Sequence, residues 1–283
     1  MVFQYLSTKI TAIFLLLSTP LLLSGCQFLV NTGLVAPSPT PDPFSHYRAI
    51  LQPAAQADIE AAGPLPQYHI TARLDESGTS LSGVMKVTVP GPLPQELVFR
   101  LYPILEVYNG SLAVTQARIN HQPVAVEQIT DTAIRLPLPS GTNVPVQVDL
   151  AFSTRVNQAA PTDTFNLFGW QDQILSLPGF FPTLAVYQTG DWVLDEPPLH
   201  GDVLFNEVAL YQLDITLPQD LVVVSSGVSL RVINNADKTR TWQIAGGPLR
   251  DMTVIAGPFE AISDDAAGAT VTSYYLEGHE LSL

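Results

Sequence analysis

One cysteine, Cys26, stands in a chain of 283 residues. A disulfide framework is excluded, because a bridge within the chain needs two. Charge is scarce as well: 13% of residues are Asp, Glu, Lys or Arg, against the roughly 25% of an ordinary domain. Basic residues are the scarcest, with 12 Lys+Arg against 26 Asp+Glu and a formal net charge of -14. Neutralising a phosphate backbone needs clustered Lys and Arg, so nucleic acid is not an expected partner. The five histidines are His46, His69, His121, His200 and His279. No two of them have the short spacing of a local zinc pair. There is no G-x-S-x-G elbow and no phosphate-binding glycine loop. Asp195, Glu196 and His200 fall together in DEPPLH, but Pro197 and Pro198 make that a rigid turn and no metal site is expected there. Read residue by residue, the chain carries no complete catalytic constellation.

What is present begins with an export signal. Lys9 supplies a positive start, and residues 10–23 (ITAIFLLLSTPLLL) form an apolar run short for a membrane span and broken by Pro20. Leu23-Ser24-Gly25-Cys26 follows, and it resembles the lipobox of bacterial lipoproteins, in which the cysteine is acylated and becomes the mature N-terminus. That resemblance implies a signal peptide over 1–25 and a lipid anchor at Cys26. It also implies a membrane partner and a place in the bacterial cell envelope facing the extracytoplasmic side. Residues 26–44 contain APSPTPDPF, an extended Pro-rich spacer. Residues 46–62 read as a short helix interrupted by Pro53.

From Tyr68 the pattern changes to period two. In YHITARL, Tyr68, Ile70, Ala72 and Leu74 share one face, while His69, Thr71 and Arg73 share the other. VPVQVDLAF and YQLDITL alternate in the same way, which marks half-buried strands. Further strand candidates are LSGVMKVTV, ELVFRLY, LAVTQARI, LVVVSSG, TRTWQI, DMTVIAG and TVTSYYL, separated by turn clusters such as DESGTS, PSGTN and NNADKT. Frequent strands with almost no helix predict an all-β domain over 45–283. The expected form is an antiparallel β-sandwich or saddle of packed sheets.

Residues 165–202 break the rhythm. They hold 7 of the chain's 24 aromatic residues: Phe165, Phe168, Trp170, Phe180, Phe181, Tyr187 and Trp192. The surrounding span 156–230 has no Lys or Arg and nine carboxylates, among them Asp172, Asp195, Glu196 and Asp202. Aromatic rings and unpaired carboxylates attract ammonium groups, so this loop suits a wall facing a cationic ligand. Most of its aromatics are nevertheless expected to pack the loop onto the sandwich.

Several stretches in order resemble the N-terminal domain of the aminopeptidase N family of zinc metallopeptidases. They are the opening strand 68–74, LVFRLYPILEVYNGSLAVTQARINHQPV, LPLPSGTNVPVQVDLAFST, and LPGFFPTLAVYQTGDW followed by NEVALYQLDITLPQDLVVVSSG. RDMTVIAGPFE and TVTSYYLEGHE resemble the domain's last strands. The resemblance implies a substrate-framing β domain that stands before a catalytic domain. In the family that second domain binds zinc through His-Glu-x-x-His and a distal Glu, and cleaves N-terminal amino acids from peptides. The second domain is expected to be missing from this chain. Zinc is therefore not expected here, no catalytic residue is assigned, and a peptide is a partner only where the second domain is present. The family's β domain commonly lends a Gln to the amine pocket. Gln171, nine residues before Phe180, stands near that place, although its flanks differ from the family's. Asp172, Asp195 and Glu196 are the acidic candidates beside it. The alternative is a stand-alone lipoprotein that binds peptides or an envelope partner. HELSL, at 279–283, is not a zinc motif: Leu283 occupies the second histidine position, and a strand exit does not place i and i+4 ligands on one face.

Overall fold

Alternation along the strands becomes a sheet with one apolar face. In the computed structural model, which describes residues 44–158, 167–197 and 201–279, β1 (Gln67–Leu74) buries Tyr68, Ile70, Ala72 and Leu74 and exposes His69, Thr71 and Arg73. Cys26, the signal segment and the spacer as far as residue 43 lie outside the described residues. So do Phe165, His200 and residues 280–283.

The large sheet has eight strands. Its order is β16 (Val228–Asn234), β17 (Thr239–Leu249), β14 (Ala209–Pro218), β1, β2 (Ser80–Val89), β8 (Val146–Arg155), β4 (Ser111–Ile119) and β5 (Gln122–Pro123). A four-stranded sheet runs β15 (Val222–Ser225), β18 (Val254–Gly257), β10 (Ile174–Leu177) and β9 (Gly169–Gln171). A second one runs β11 (Thr183–Leu184), β3 (Glu96–Arg100), β7 (Ala133–Pro137) and β6 (Glu127–Thr130). Two hairpins complete the set: β12 (Tyr187–Gln188) with β13 (Asp191–Trp192), and β19 (Phe259–Ala266) with β20 (Ala269–Leu276). The all-β architecture of packed sheets is the one expected.

One ladder departs from the expected antiparallel pairing. β1 and β14 run parallel, in register from Gln67↔Leu210 to Arg73↔Thr216. A parallel pair needs a long crossover. Residues 75–208, which build most of the two smaller sheets, provide it. The helix is interrupted at Pro53, as expected: α1 (Ser45–Ile50) and α2 (Asp58–Ala61) flank a 3₁₀ turn that starts there. Proline cannot continue a helix but is tolerated at the first position of a turn. Tyr47 and Ile59 bury themselves against Leu210 of β14.

One contiguous apolar core joins all three sheets. Each large side chain in it contributes about 1.5–3 kcal/mol by leaving water. At its centre Tyr68 stacks on Tyr211 at 4.9 Å between ring centroids, and Phe181 lies 6.0 Å from Tyr68. Phe168, Phe180 and Phe181 are buried. Trp170 and Trp192 pack against the same core partly buried, while Tyr187 is exposed, so five of the segment's six described aromatics contribute to the core.

Burial also sets an alkaline limit on stability. It pushes the Tyr47 phenol up to about 12, against a lowering hydrogen bond with Gln212. Burial also raises Tyr68, Tyr102, Tyr108 and Tyr211. A group with a raised folded pKa contributes stability that is complete below its unfolded pKa, near 10 for tyrosine. That contribution is lost as pH climbs from there through the folded values. In an alkaline titration, tyrosinate absorbance from these five is expected to appear together with loss of near-UV circular dichroism. Ionisation of all tyrosines near pH 10 in a protein still folded would contradict this.

Candidate functional site

Three pieces of chain enclose a cavity of about 340 Å³. β3 ends in Arg100 and passes through Leu101 into a 3₁₀ turn over Tyr102–Ile104. The β12–β13 hairpin contributes Gln188. The loop after β13 contributes Val193, Asp195, Glu196, Pro197, Asp202, Val203 and Phe205. β3 is held between β7 and β11, with Arg100 opposite Ala133 and Thr183, so the position of Arg100 is fixed by two ladders.

Tyr102 secures the far wall. Its hydroxyl donates toward the Phe205 carbonyl and Asn206 Oδ1, both at 2.9 Å, and accepts from the Phe205 amide at 3.2 Å. Burial raises its pKa, while the hydrogen bond to Phe205 and the nearby Arg100 charge work the other way. Arg250 adds a second clamp, donating from Nη1 to the Asn206 carbonyl at 2.8 Å. Tyr102→Phe is therefore expected to cost about 1–3 kcal/mol, because buried partners are left unpaired. It should also accelerate hydrogen exchange at the Phe205 amide. Unchanged exchange there would show that the hydroxyl does not hold this loop.

Arg100 is the unusual wall. It is 3% exposed. Its Nη2 donates to the Asp195 carbonyl at 3.2 Å, and its guanidinium carbon lies 5.5 Å from the Tyr102 ring centroid. It makes no ion pair among the described residues.

Of the residues singled out in the sequence, Asp195 and Glu196 line this cavity and are exposed. Gln171 and Asp172 lie elsewhere. Gln171 ends β9, opposite Ile174, and Asp172 opens the tight turn to β10 with φ 48°. Both are exposed, and neither lines the cavity. His69 is exposed on the polar face of β1. His121 is exposed in its turn, with Nδ1 3.8 Å from Asp149. His279 follows the end of β20, and its amide donates to the Leu276 carbonyl at 3.0 Å. Among the described residues no three His, Cys, Asp or Glu side chains converge as metal ligands, so no step through zinc is assigned to this chain. Arg100, Tyr102 and Phe205 were not picked out as site residues from sequence. The available signal was a single basic residue inside the apolar run LVFRLY.

No protein-family model and no curated protein matches the chain. Solved structures do. One is a point mutant of an M1 zinc metallopeptidase from Deinococcus radiodurans bound to a Tyr-Ser-Ala substrate. It is similar with TM-score 0.50 and 18% identity, over 77% of this chain and 48% of that one. Another is a point mutant of a two-domain M1 zinc metallopeptidase bound to L-tryptophan, with TM-score 0.51 and 18% identity, over 77% of this chain and 49% of that one. The likeness is one of fold, and this chain spans about half the length of the structures it matches.

Proposed function

We propose that this chain is the N-terminal, substrate-framing domain of a membrane-tethered zinc metalloaminopeptidase. The complete enzyme removes N-terminal amino acids from peptides. The observation that carries the reading is the shared β fold, which accounts for about half of two zinc metallopeptidase chains. Zinc and the groups that bind it belong to the other half in this reading. The lipobox-like stretch ending at Cys26 supports a lipid anchor in the bacterial envelope, facing the extracytoplasmic side. Asp195 and Glu196 are proposed to face the peptide's free ammonium, because they line a cavity in the part of the chain that has no Lys or Arg. Gln171 and Asp172, on their hairpin, are the second candidates for framing.

The test is the coding sequence beyond Leu283. The expected frame continues into a His-Glu-x-x-His segment. Its full product should release N-terminal residues from a chromogenic substrate in a chelator-sensitive way, while the 283-residue chain alone does not. A stop codon directly after Leu283 would overturn this reading in favour of a stand-alone lipoprotein that binds peptides or an envelope partner.

A further inference from the structure

Burying a guanidinium is costly unless a partner meets it. Arg100 has little to meet it. Its Nε is sealed from solvent and has no hydrogen-bond partner. Its one hydrogen bond, from Nη2, goes to a backbone carbonyl, and Tyr102 covers it only through ring contact. Yet Arg100 lines the cavity described above. Arginine carries five N–H donors in a planar fork that matches a carboxylate, and most of this fork is uncommitted.

The same cavity is lined by Asp195, Glu196 and Asp202. A bare anion approaching Arg100 would meet three carboxylates. A ligand that carries an ammonium beside its carboxylate satisfies both signs at once. Val193, Val203 and Phe205 supply apolar wall, and a volume near 340 Å³ is at the small end of the range for ligand sites. We propose that this cavity binds a free α-amino acid as its zwitterion. The carboxylate sits on the Arg100 fork, the ammonium lies toward Asp195, Glu196 and Asp202, and the side chain rests on the apolar wall. The proposal shares Asp195 and Glu196 with the peptidase reading, where they face a peptide's ammonium, and adds Arg100 and a free carboxylate, on which it stands.

The test follows the Arg100 Nε–H resonance in proton–nitrogen spectra of the full chain in detergent. Leucine, leucinamide and N-acetylleucine are titrated in turn. A saturable shift is expected with leucine, and roughly tenfold weaker binding with each analogue, since each lacks one of the two charges. Arg100→Lys keeps a charge but removes the fork and with it the reporter resonance, so leucine binding to this variant is read by calorimetry, and it should be weaker by roughly tenfold or more. If that variant does not fold, Glu196→Gln, at an exposed position, decides in its place. It should weaken leucine but not N-acetylleucine, which then meets one carboxylate fewer. Absence of a saturable shift with leucine overturns the proposal, and so does leucinamide or N-acetylleucine binding as tightly as leucine. Such a failure leaves the peptidase reading standing, because that reading is decided by the downstream frame and chelator-sensitive activity.

Discussion

Phe181→Ala is expected to lower the free energy of unfolding by about 3–5 kcal/mol. Phe181 is 1% exposed. Its ring sits at 5.1 Å from Phe180, edge to face, at 6.0 Å from Tyr68 and at 6.3 Å from Tyr211. Tyr68 and Tyr211 stand opposite each other in the parallel ladder between β1 and β14. The ring therefore touches the large sheet at this parallel seam. Removing it deletes apolar contact and leaves a cavity beside Tyr68 and Tyr211, whose backbones are fixed by strand pairing, so little collapse can relieve the loss on that side. Against a typical total of about 5–15 kcal/mol, that is a large fraction. Phe181→Leu keeps most of the volume and should cost less than about 1.5 kcal/mol. The measurement is denaturant unfolding of both variants, with attention to the slope. A loss below about 1 kcal/mol for the alanine variant, at unchanged slope, would show that this ring is not a centre of the core.

The strands were legible because a half-buried sheet imposes period two, and 68–74, 146–152 and 211–217 obey it. Their partners were not legible. β1 and β14 have the same alternation whichever way they run, and they meet only after a long excursion through two other sheets. LVVVSSG also reads as one strand candidate that ends in a turn. In the structure the chain leaves one sheet at Ser225 and enters another at Val228, turning at Ser226 and Gly227. A Cβ on Gly227 would lie 2.7 Å from the Ala245 carbonyl, a close approach that no periodicity announces.

The site was less legible than the fold. The two acids of DEPPLH stood out through the local absence of Lys and Arg, and both line the cavity. Arg100 did not stand out. A charge at the end of an apolar strand reads as a residue emerging into water, and whether a carboxylate meets it depends on loops far away in sequence. Gln171 was selected by its distance from the aromatic segment. Chain distance does not separate a residue on a cavity wall from one on a neighbouring hairpin.

Gly169 is where the backbone of that hairpin leaves least freedom. Gly169→Ala is expected to cost about 3 kcal/mol or more, from two sources that add. Its φ is +110°, a conformation that costs a non-glycine residue about 1–3 kcal/mol. A Cβ there would also lie 2.7 Å from the Asn157 carbonyl oxygen and 2.9 Å from the Asn157 Cβ. Asn157 has little room to give. Its carbonyl accepts the Trp170 amide at 2.8 Å, and its Nδ2 donates to the Tyr108 carbonyl at 2.7 Å. Trp170 is tied in turn by Nε1 to the Gly78 carbonyl at 2.8 Å. Any shift that relieves the methyl group must lengthen one of these bonds. Gly141→Ala separates the two sources. Gly141 also has positive φ, +75°, but nothing lies within 4 Å of its Cβ position, so only backbone strain of about 1–2 kcal/mol is expected. Equal losses in the two variants would mean that the Asn157 contact contributes nothing. A substantially larger loss at 169 assigns the difference to that contact, which holds the hairpin bearing Gln171 and Asp172 against the core.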